Sequence, residues 1–259
     1  MSSQTQKAQT LARLHEAPEI LRLVNVWDAV SATTIASLPD TKALATAGHS
    51  IAATFGYADG EKIPLDLMLD MIGRIVTAAG DLPVSADLDA GYGDAGETVR
   101  RAIGVGIVGA NVEDRLKPLA DSVAAVEAVV AAGESEGVPF VLNARTDAFV
   151  RGGGRPASES LADAIERGRA YLGAGATTVF VPGILDADVT RALVDGIGER
   201  KVSVIGLPGS LTAAEYEALG IARISYGPMT QRVALTALQD VAIDLYADGV
   251  IPSTTRSLN

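Results

Sequence analysis

One alternation, repeated along almost the whole chain, constrains the fold more than any other feature. Eight short apolar runs read as strands: Arg22–Trp27, Lys42–Ala47, Val84–Ala90, Gly109–Asp114, Phe140–Asp147, Thr178–Pro182, Val202–Leu207 and Arg223–Tyr226. Each is followed by a helical stretch, over Ala32–Leu38, Pro64–Ala79, Gly96–Ile103, Asp121–Glu136, Ser158–Leu172, Ala187–Ile197, Thr212–Leu219 and Met229–Ala247. A leading helix over Gln4–His15 precedes them and ends at Pro18; Ser31 is the expected cap of the next helix, and Gly48 to Glu61 reads as a long loop. Eight strand–helix units fit a closed (β/α)8 TIM barrel, an α/β fold. An open doubly wound sheet usually has fewer strands and a GxGxxG turn after the first, where this chain has Asp28-Ala29-Val30-Ser31. No linker or low-complexity tract interrupts the pattern, so residues 1–259 are expected to form one barrel domain with an N-terminal helix.

In such a barrel the chemistry lies at the carboxyl ends of the strands. The third run ends Ser85-Ala86-Asp87-Leu88-Asp89-Ala90-Gly91, and its alternation puts Asp87 and Asp89 on one face. By the same period Asn111 pairs with Glu113, and Asn143 with Arg145 and Asp147. Several carboxylates at one rim repel one another, and protonation or a divalent cation must relieve that. Oxygen donors without His or Cys favour Mg²⁺, or Mn²⁺ in its place. The alternative is that these acids cap helices or pair with Arg115 and Arg145. Arg145 is the natural partner of an anionic substrate, or else a member of a salt bridge.

The turn Ala47-Gly48-His49-Ser50 can present amides to a carboxylate, because Gly48 permits close approach. His49 is a candidate proton donor or a surface residue. Trp27 and Tyr57 either wall a pocket or pack in the core. A Schiff-base aldolase needs a strand-end lysine, and Lys117, the nearest, belongs to a loop. A net charge of −11 argues against nucleic acid and anionic membrane as partners, and the absence of cysteine excludes thiolate chemistry. Met1 to Gln9 lacks the apolar core of a signal peptide, and no apolar run is long enough to span a bilayer, so a soluble cytoplasmic protein is expected.

Five segments taken together resemble the isocitrate lyase / phosphoenolpyruvate mutase superfamily. They are Asn25-Val26-Trp27-Asp28-Ala29, Ala52 to Gly60, Asp87 to Gly93, Val112-Glu113-Asp114 and Asn143-Ala144-Arg145-Thr146-Asp147, in the superfamily's order. The resemblance implies a barrel whose last helix is exchanged between subunits, usually in a homotetramer. It also implies Mg²⁺ and a small 2-oxo acid handled through an enolate. Position by position, it makes Asp87 the main metal-side acid, with Asp89 and Glu113 reaching the ion largely through water. Asp59 becomes a further acid of the site, Gly48 and His49 the carboxylate-holding turn, and Arg145 the substrate arginine.

The departures from that pattern concern the reaction. Lyases of the superfamily carry a Lys-(Lys/Arg)-Cys-Gly-His loop after the fourth strand, and phosphonomutases a longer gating loop. Here Arg115 to Ser122 is short and holds neither Cys nor His. On the sixth strand Val181-Pro182-Gly183 replaces a mutase histidine or a lyase acid. The expectation is therefore a Mg²⁺-dependent enzyme cleaving a C–C bond of an oxaloacetate-like acid. The alternatives are P–C bond chemistry and a silent barrel that binds a small dicarboxylate.

Overall fold

Helix starts along the chain are written in capping residues. In the computed structural model, which describes residues 2–258, Ser3 and Gln6 close a capping box at the start of α1 (Gln4–Glu16). Asp28 and Ser31 do the same for α2 (Ala29–Ala36), Thr212 and Glu215 for α9 (Ala213–Ala218). Asp94 and Asp186 cap α5 (Ala95–Gly104) and α8 (Ala187–Ile197). Prolines 64, 118, 156 and 228 immediately precede α4 (Leu65–Ala78), α6 (Leu119–Ser135), α7 (Ala157–Gly173) and α10 (Met229–Tyr246).

Between the helices run β1 (Leu21–Leu23), β2 (Asn25–Val26), β3 (Leu44–Thr46), β4 (Val84–Asp87), β5 (Gly109–Glu113), β6 (Val141–Arg145), β7 (Thr178–Phe180), β8 (Val202–Ile205) and β9 (Arg223–Ser225). All pair in parallel, in the order β1-β9-β8-β7-β6-β5-β4-β3-β2. β1 and β2 are the two halves of the expected first strand, interrupted at Val24. The first half pairs with β9 and the second with β3, so one segment closes the (β/α)8 barrel. Asn25 latches this seam. Its side-chain oxygen accepts from the amides of Tyr226 (2.6 Å) and Gly227 (2.8 Å), and its nitrogen donates to the Thr46 carbonyl.

Four expectations need correction. Gly48 to Glu61 is not all loop, because α3 (Gly48–Thr54) occupies its first half; seven residues without a side-chain cap gave little signal. The third strand stops at Asp87, since Asp89 turns into the left-handed region at φ 50°. The cap of α2 is Asp28, with Ser31 inside the first turn. α6 begins at Leu119, which shortens the loop after β5. No helix among the described residues is long and apolar enough to cross a membrane.

The barrel interior holds a polar layer. The Asn143 side chain accepts from Thr178 (2.8 Å) and Ser203 (2.7 Å) and donates to Asn111 (2.8 Å). α1 closes the floor: its buried Leu11 packs so tightly on β5 that a methyl group at Gly109 would lie 2.9 Å from it. His15 follows on the same helix, buried, with Nδ1 donating to the Leu11 carbonyl at 2.8 Å. Burial, reinforced by the charge of Arg223, lowers His15 from 6.5 to about 3.

His15 thus folds as a neutral ring, whereas the unfolded chain protonates it below pH 6.5. Its contribution to stability is complete above that pH and is lost progressively as pH falls toward 3. Between pH 7 and pH 5 the loss from this residue is roughly 2 kcal/mol. Urea unfolding at the two pH values should therefore show a larger drop for this chain than for His15→Gln. Equal drops would refute the assignment.

Candidate active site

At the carboxyl ends of the strands lies a cavity of about 200 Å³. Every strand from β2 to β9 contributes a wall residue, among them Asn25, Thr46, Asp87, Glu113, Arg145, Phe180, Ile205 and Ser225, so the cavity is centred on the barrel axis. It is small beside the 300–1,000 Å³ typical of larger ligands, which points to a compact substrate.

Four acids, Asp59, Asp87, Asp89 and Glu113, line this space with the cations Arg145 and Arg151. Asp87 ends β4 and accepts the Gly48 amide at 3.0 Å. A methyl group at Gly48 would come within 3.2 Å of that carboxylate, which explains the glycine. The amide expected to hold a substrate carboxylate thus holds the protein's own Asp87.

Burial raises the Asp87 carboxyl above its usual range, against the opposing pull of Arg145. For Asp89, burial is reinforced by Asp87, Glu113, Asp59 and Glu61, and the carboxyl is pushed up to about 8. Although the strand alternation fails between Asp87 and Asp89, both reach the same cavity.

The donor set suits a hard divalent cation, whose charge would offset desolvated carboxylates that otherwise tend to protonate. Asp87 and Asp89 are the residues able to face such an ion. Glu113 is already engaged by Arg145 (2.8 Å) and Arg115 (2.9 Å). Among the described residues no group of three His, Asp or Glu side chains is arranged to hold a metal by itself. An ion here would keep part of its water shell, as Mg²⁺ commonly does.

Arg145 stands opposite Glu113 in the β5–β6 register and lies 5.9 Å from the centre of the Phe180 ring. Its Nε donates to Asp147 at 2.7 Å and its Nη1 pairs with Glu113, which leaves the other edge for a ligand. His49 also lines the cavity, with Nδ1 3.3 Å from Asp59.

Other expected site residues lie elsewhere. Trp27 faces a separate apolar groove beside α2 and the start of α10. Ala47 is buried as the N-cap of α3, and Tyr57 is exposed at 39% and does not line the cavity. Asn143 is fully buried, with its side chain satisfied within the polar layer.

Three residues at the rim escaped the sequence reading. Arg151 lines the cavity; the only hint was its spacing of four from Asp147, inside a glycine-rich stretch. Glu61 accepts the amides of Ala90 (3.1 Å) and Tyr92 (2.7 Å) and pairs with Arg115 at 3.0 Å, tying three loops together. Asp114 accepts from the amides of Leu116 and Asp147 on one oxygen and from Tyr171 and Arg167 on the other. Five of the seven described non-glycine residues with positive φ belong to this rim, namely Glu61, Asp89, Tyr92, Arg115 and Leu116. Such strain costs about 1–3 kcal/mol per residue and persists where surrounding contacts hold it.

Comparisons with known proteins find relatives that span most of the chain. The family model for phosphoenolpyruvate phosphomutase matches residues 11–246. An oxaloacetate decarboxylase of Rhodopseudomonas palustris is 30% identical over 92% of this chain and 84% of its own. Among solved structures, a candidate phosphonomutase from Burkholderia cenocepacia J2315 has 36% identity and a TM-score of 0.86, covering 92% of this chain and 98% of that one. Oxaloacetate acetylhydrolase in complex with its product oxalate has 26% identity and a TM-score of 0.85, covering 95% and 89%. The chain therefore belongs to the phosphoenolpyruvate phosphomutase family, among the lyases and mutases of the PEP mutase/isocitrate lyase superfamily.

Proposed function

We propose that this enzyme cleaves a carbon–carbon bond of a small 2-oxo carboxylate of the oxaloacetate kind, with Mg²⁺, or Mn²⁺ in its place, at Asp87. The observation that carries the reading is the meeting of desolvated Asp87 and Asp89 with a preset Arg145 in one cavity of about 200 Å³. Relatives named oxaloacetate decarboxylase and oxaloacetate acetylhydrolase support the substrate class. The ion would be held by Asp87, with Asp89 and Glu113 reaching it largely through water, and would polarise the 2-oxo oxygen and lower the charge penalty of the acids.

The side chains supply the remainder. Arg145 binds and orients the anionic end of the substrate and faces the charge that builds up as the bond breaks. Because Asp147 and Glu113 fix it beforehand, little reorganisation is needed. His49 is the proton donor to the enolate carbon, with Asp59 at Nδ1 leaving Nε2 for the transfer. Gly48 acts by orienting Asp87.

P–C bond chemistry is the less favoured reading, because a phosphoryl intermediate must be shielded from water by a closing loop. The segment after β5 is short and pinned: the Asp114 carbonyl accepts the Lys117 amide at 2.9 Å, and Arg167 donates to the Lys117 carbonyl at 3.1 Å.

Assembly is part of the proposal. Within α10 only Gln231 is buried, while Val233 (67% exposed), Leu235, Leu238 and Ile243 face outward. Beside the start of α10 an apolar groove of about 500 Å³ is lined by Trp27, Val30, Ile35 and Met229. We assign this uncovered surface to a second copy of the chain, with exchange of α10 in a dimer or tetramer.

Three outcomes are expected. Calorimetry should detect oxalate binding that requires Mg²⁺ and weakens about 100-fold or more in a folded Asp87→Ala variant, since even outer-shell partners of a metal are worth ~10–100-fold. Unchanged affinity removes the metal assignment. Phosphorus NMR should show no conversion of phosphonopyruvate to phosphoenolpyruvate; turnover above ~1 s⁻¹, ordinary for enzymes, would establish the mutase instead. Light scattering at micromolar concentration should give a multiple of 26.6 kDa, reduced by Leu238→Glu, and a monomer for the unmodified chain would refute the assembly.

A further inference from the structure

Two guanidiniums, not one, are braced on the same pair of acids. Asp147 is fully buried; its Oδ1 accepts from Arg145 Nε and its Oδ2 from Arg151 Nε, both at 2.7 Å. Glu113 takes Arg145 at 2.8 Å and stands 3.9 Å from Arg151. The two cations differ in depth: the side chain of Arg145 is 23% exposed and that of Arg151 is 50% exposed.

Arg151 is not a loosely tethered surface residue. Its amide donates to the Asp147 carbonyl at 2.8 Å, closing a turn, and its Nε is fixed by the carboxylate of the same residue. Beyond Nε, its only acid neighbour among the described residues is Glu113, 3.9 Å from Nη2 and past hydrogen-bond distance, and Arg151 borders the cavity. A half-exposed guanidinium held at Nε beside a cavity, with its terminal nitrogens not hydrogen-bonded, is available to receive a carboxylate. Arg115, the other rim arginine, is closed between Glu61 and Glu113 and does not line the cavity.

Resting on the reading of the site given above, we propose that Arg151 is a specificity-determining residue that binds the distal carboxylate of the substrate. Arg145 takes the 2-oxo end and Arg151 the far end, which makes a short 2-oxo dicarboxylate the preferred substrate class over a 2-oxo monocarboxylate. The distal charge is recognised at the mouth, where the site is still open to solvent. This contact serves mainly to bind, so its loss appears in affinity and KM more than in kcat.

The experiment compares ligands of two lengths in three proteins: the unmodified chain, Arg151→Gln and Arg151→Lys, each with Mg²⁺. Calorimetry gives the Kd of oxalate, and displacement of oxalate gives the affinities of pyruvate and oxaloacetate. In R151Q oxaloacetate should weaken about tenfold or more, the usual range for a charge-assisted hydrogen bond. Oxalate and pyruvate should stay within about twofold, a control that also reports an intact fold, and R151K should recover part of the loss. Unchanged oxaloacetate affinity in R151Q with oxalate binding retained overturns the role of Arg151 alone. Equal weakening of all three ligands overturns it too, by making Arg151 a support of the whole site. Failure of the unmodified chain to bind oxalate removes the underlying reading of the cavity together with this assignment.

Discussion

The carboxylate of Asp147, without any exposure to solvent, is the constraint on which the rim depends. It holds two guanidiniums at once, while its own amide donates to Asp114 at 3.0 Å. Asp114 in turn is anchored by Tyr171 (2.7 Å) and Arg167 (3.2 Å) from α7. The ends of β5 and β6 and the helix outside them are thereby fixed relative to each other by charge-assisted hydrogen bonds. Removing one partner from such a buried network leaves an uncompensated charge, which commonly costs about 3–5 kcal/mol. The network's value lies in fixing directions, since Arg145 can meet a developing negative charge only if it is already aimed.

Polarity inside the barrel continues below this rim. Many barrels fill their interior with branched aliphatic side chains; here Asn111, Asn143, Thr178 and Ser203 form a hydrogen-bonded layer, and Arg223 lies beneath, fully buried, near Ser85. Burial lowers Arg223 to about 10 even though Asp87 pulls the other way. That pull links the floor to the site: a positive charge under Asp87 favours the ionised carboxylate, in the same sense as Arg145 above it.

Much of this was legible in the sequence for physical reasons. Strand and helix periods differ enough to count eight units, and proline or a capping side chain marks most helix starts. The strand-end acids and Arg145 were readable because a barrel brings its strand ends to one rim whatever their separation in sequence. What escaped depends on side-chain direction. Asn143 has the right face but is taken up by Thr178 and Ser203. Trp27 lies just past β2, where the chain has turned toward α2. Asp89 reaches the cavity through a left-handed turn that no alternation rule contains. Arg151 and Glu61 act from loops, where composition says little about aim.

The seam latched by Asn25 has a consequence for when the site can exist during folding. Leu21 pairs with Arg223, two residues separated by most of the chain, and the Asn25 oxygen is capped by amides at positions 226 and 227. Closing so long a loop is slow and entropically costly, and nothing repays the cost until the last strand arrives. Asn25 also belongs to the cavity wall. A nascent or partly unzipped barrel therefore has most of its strands but no finished cavity, so binding competence reports closure of the ring and not the mere presence of its parts.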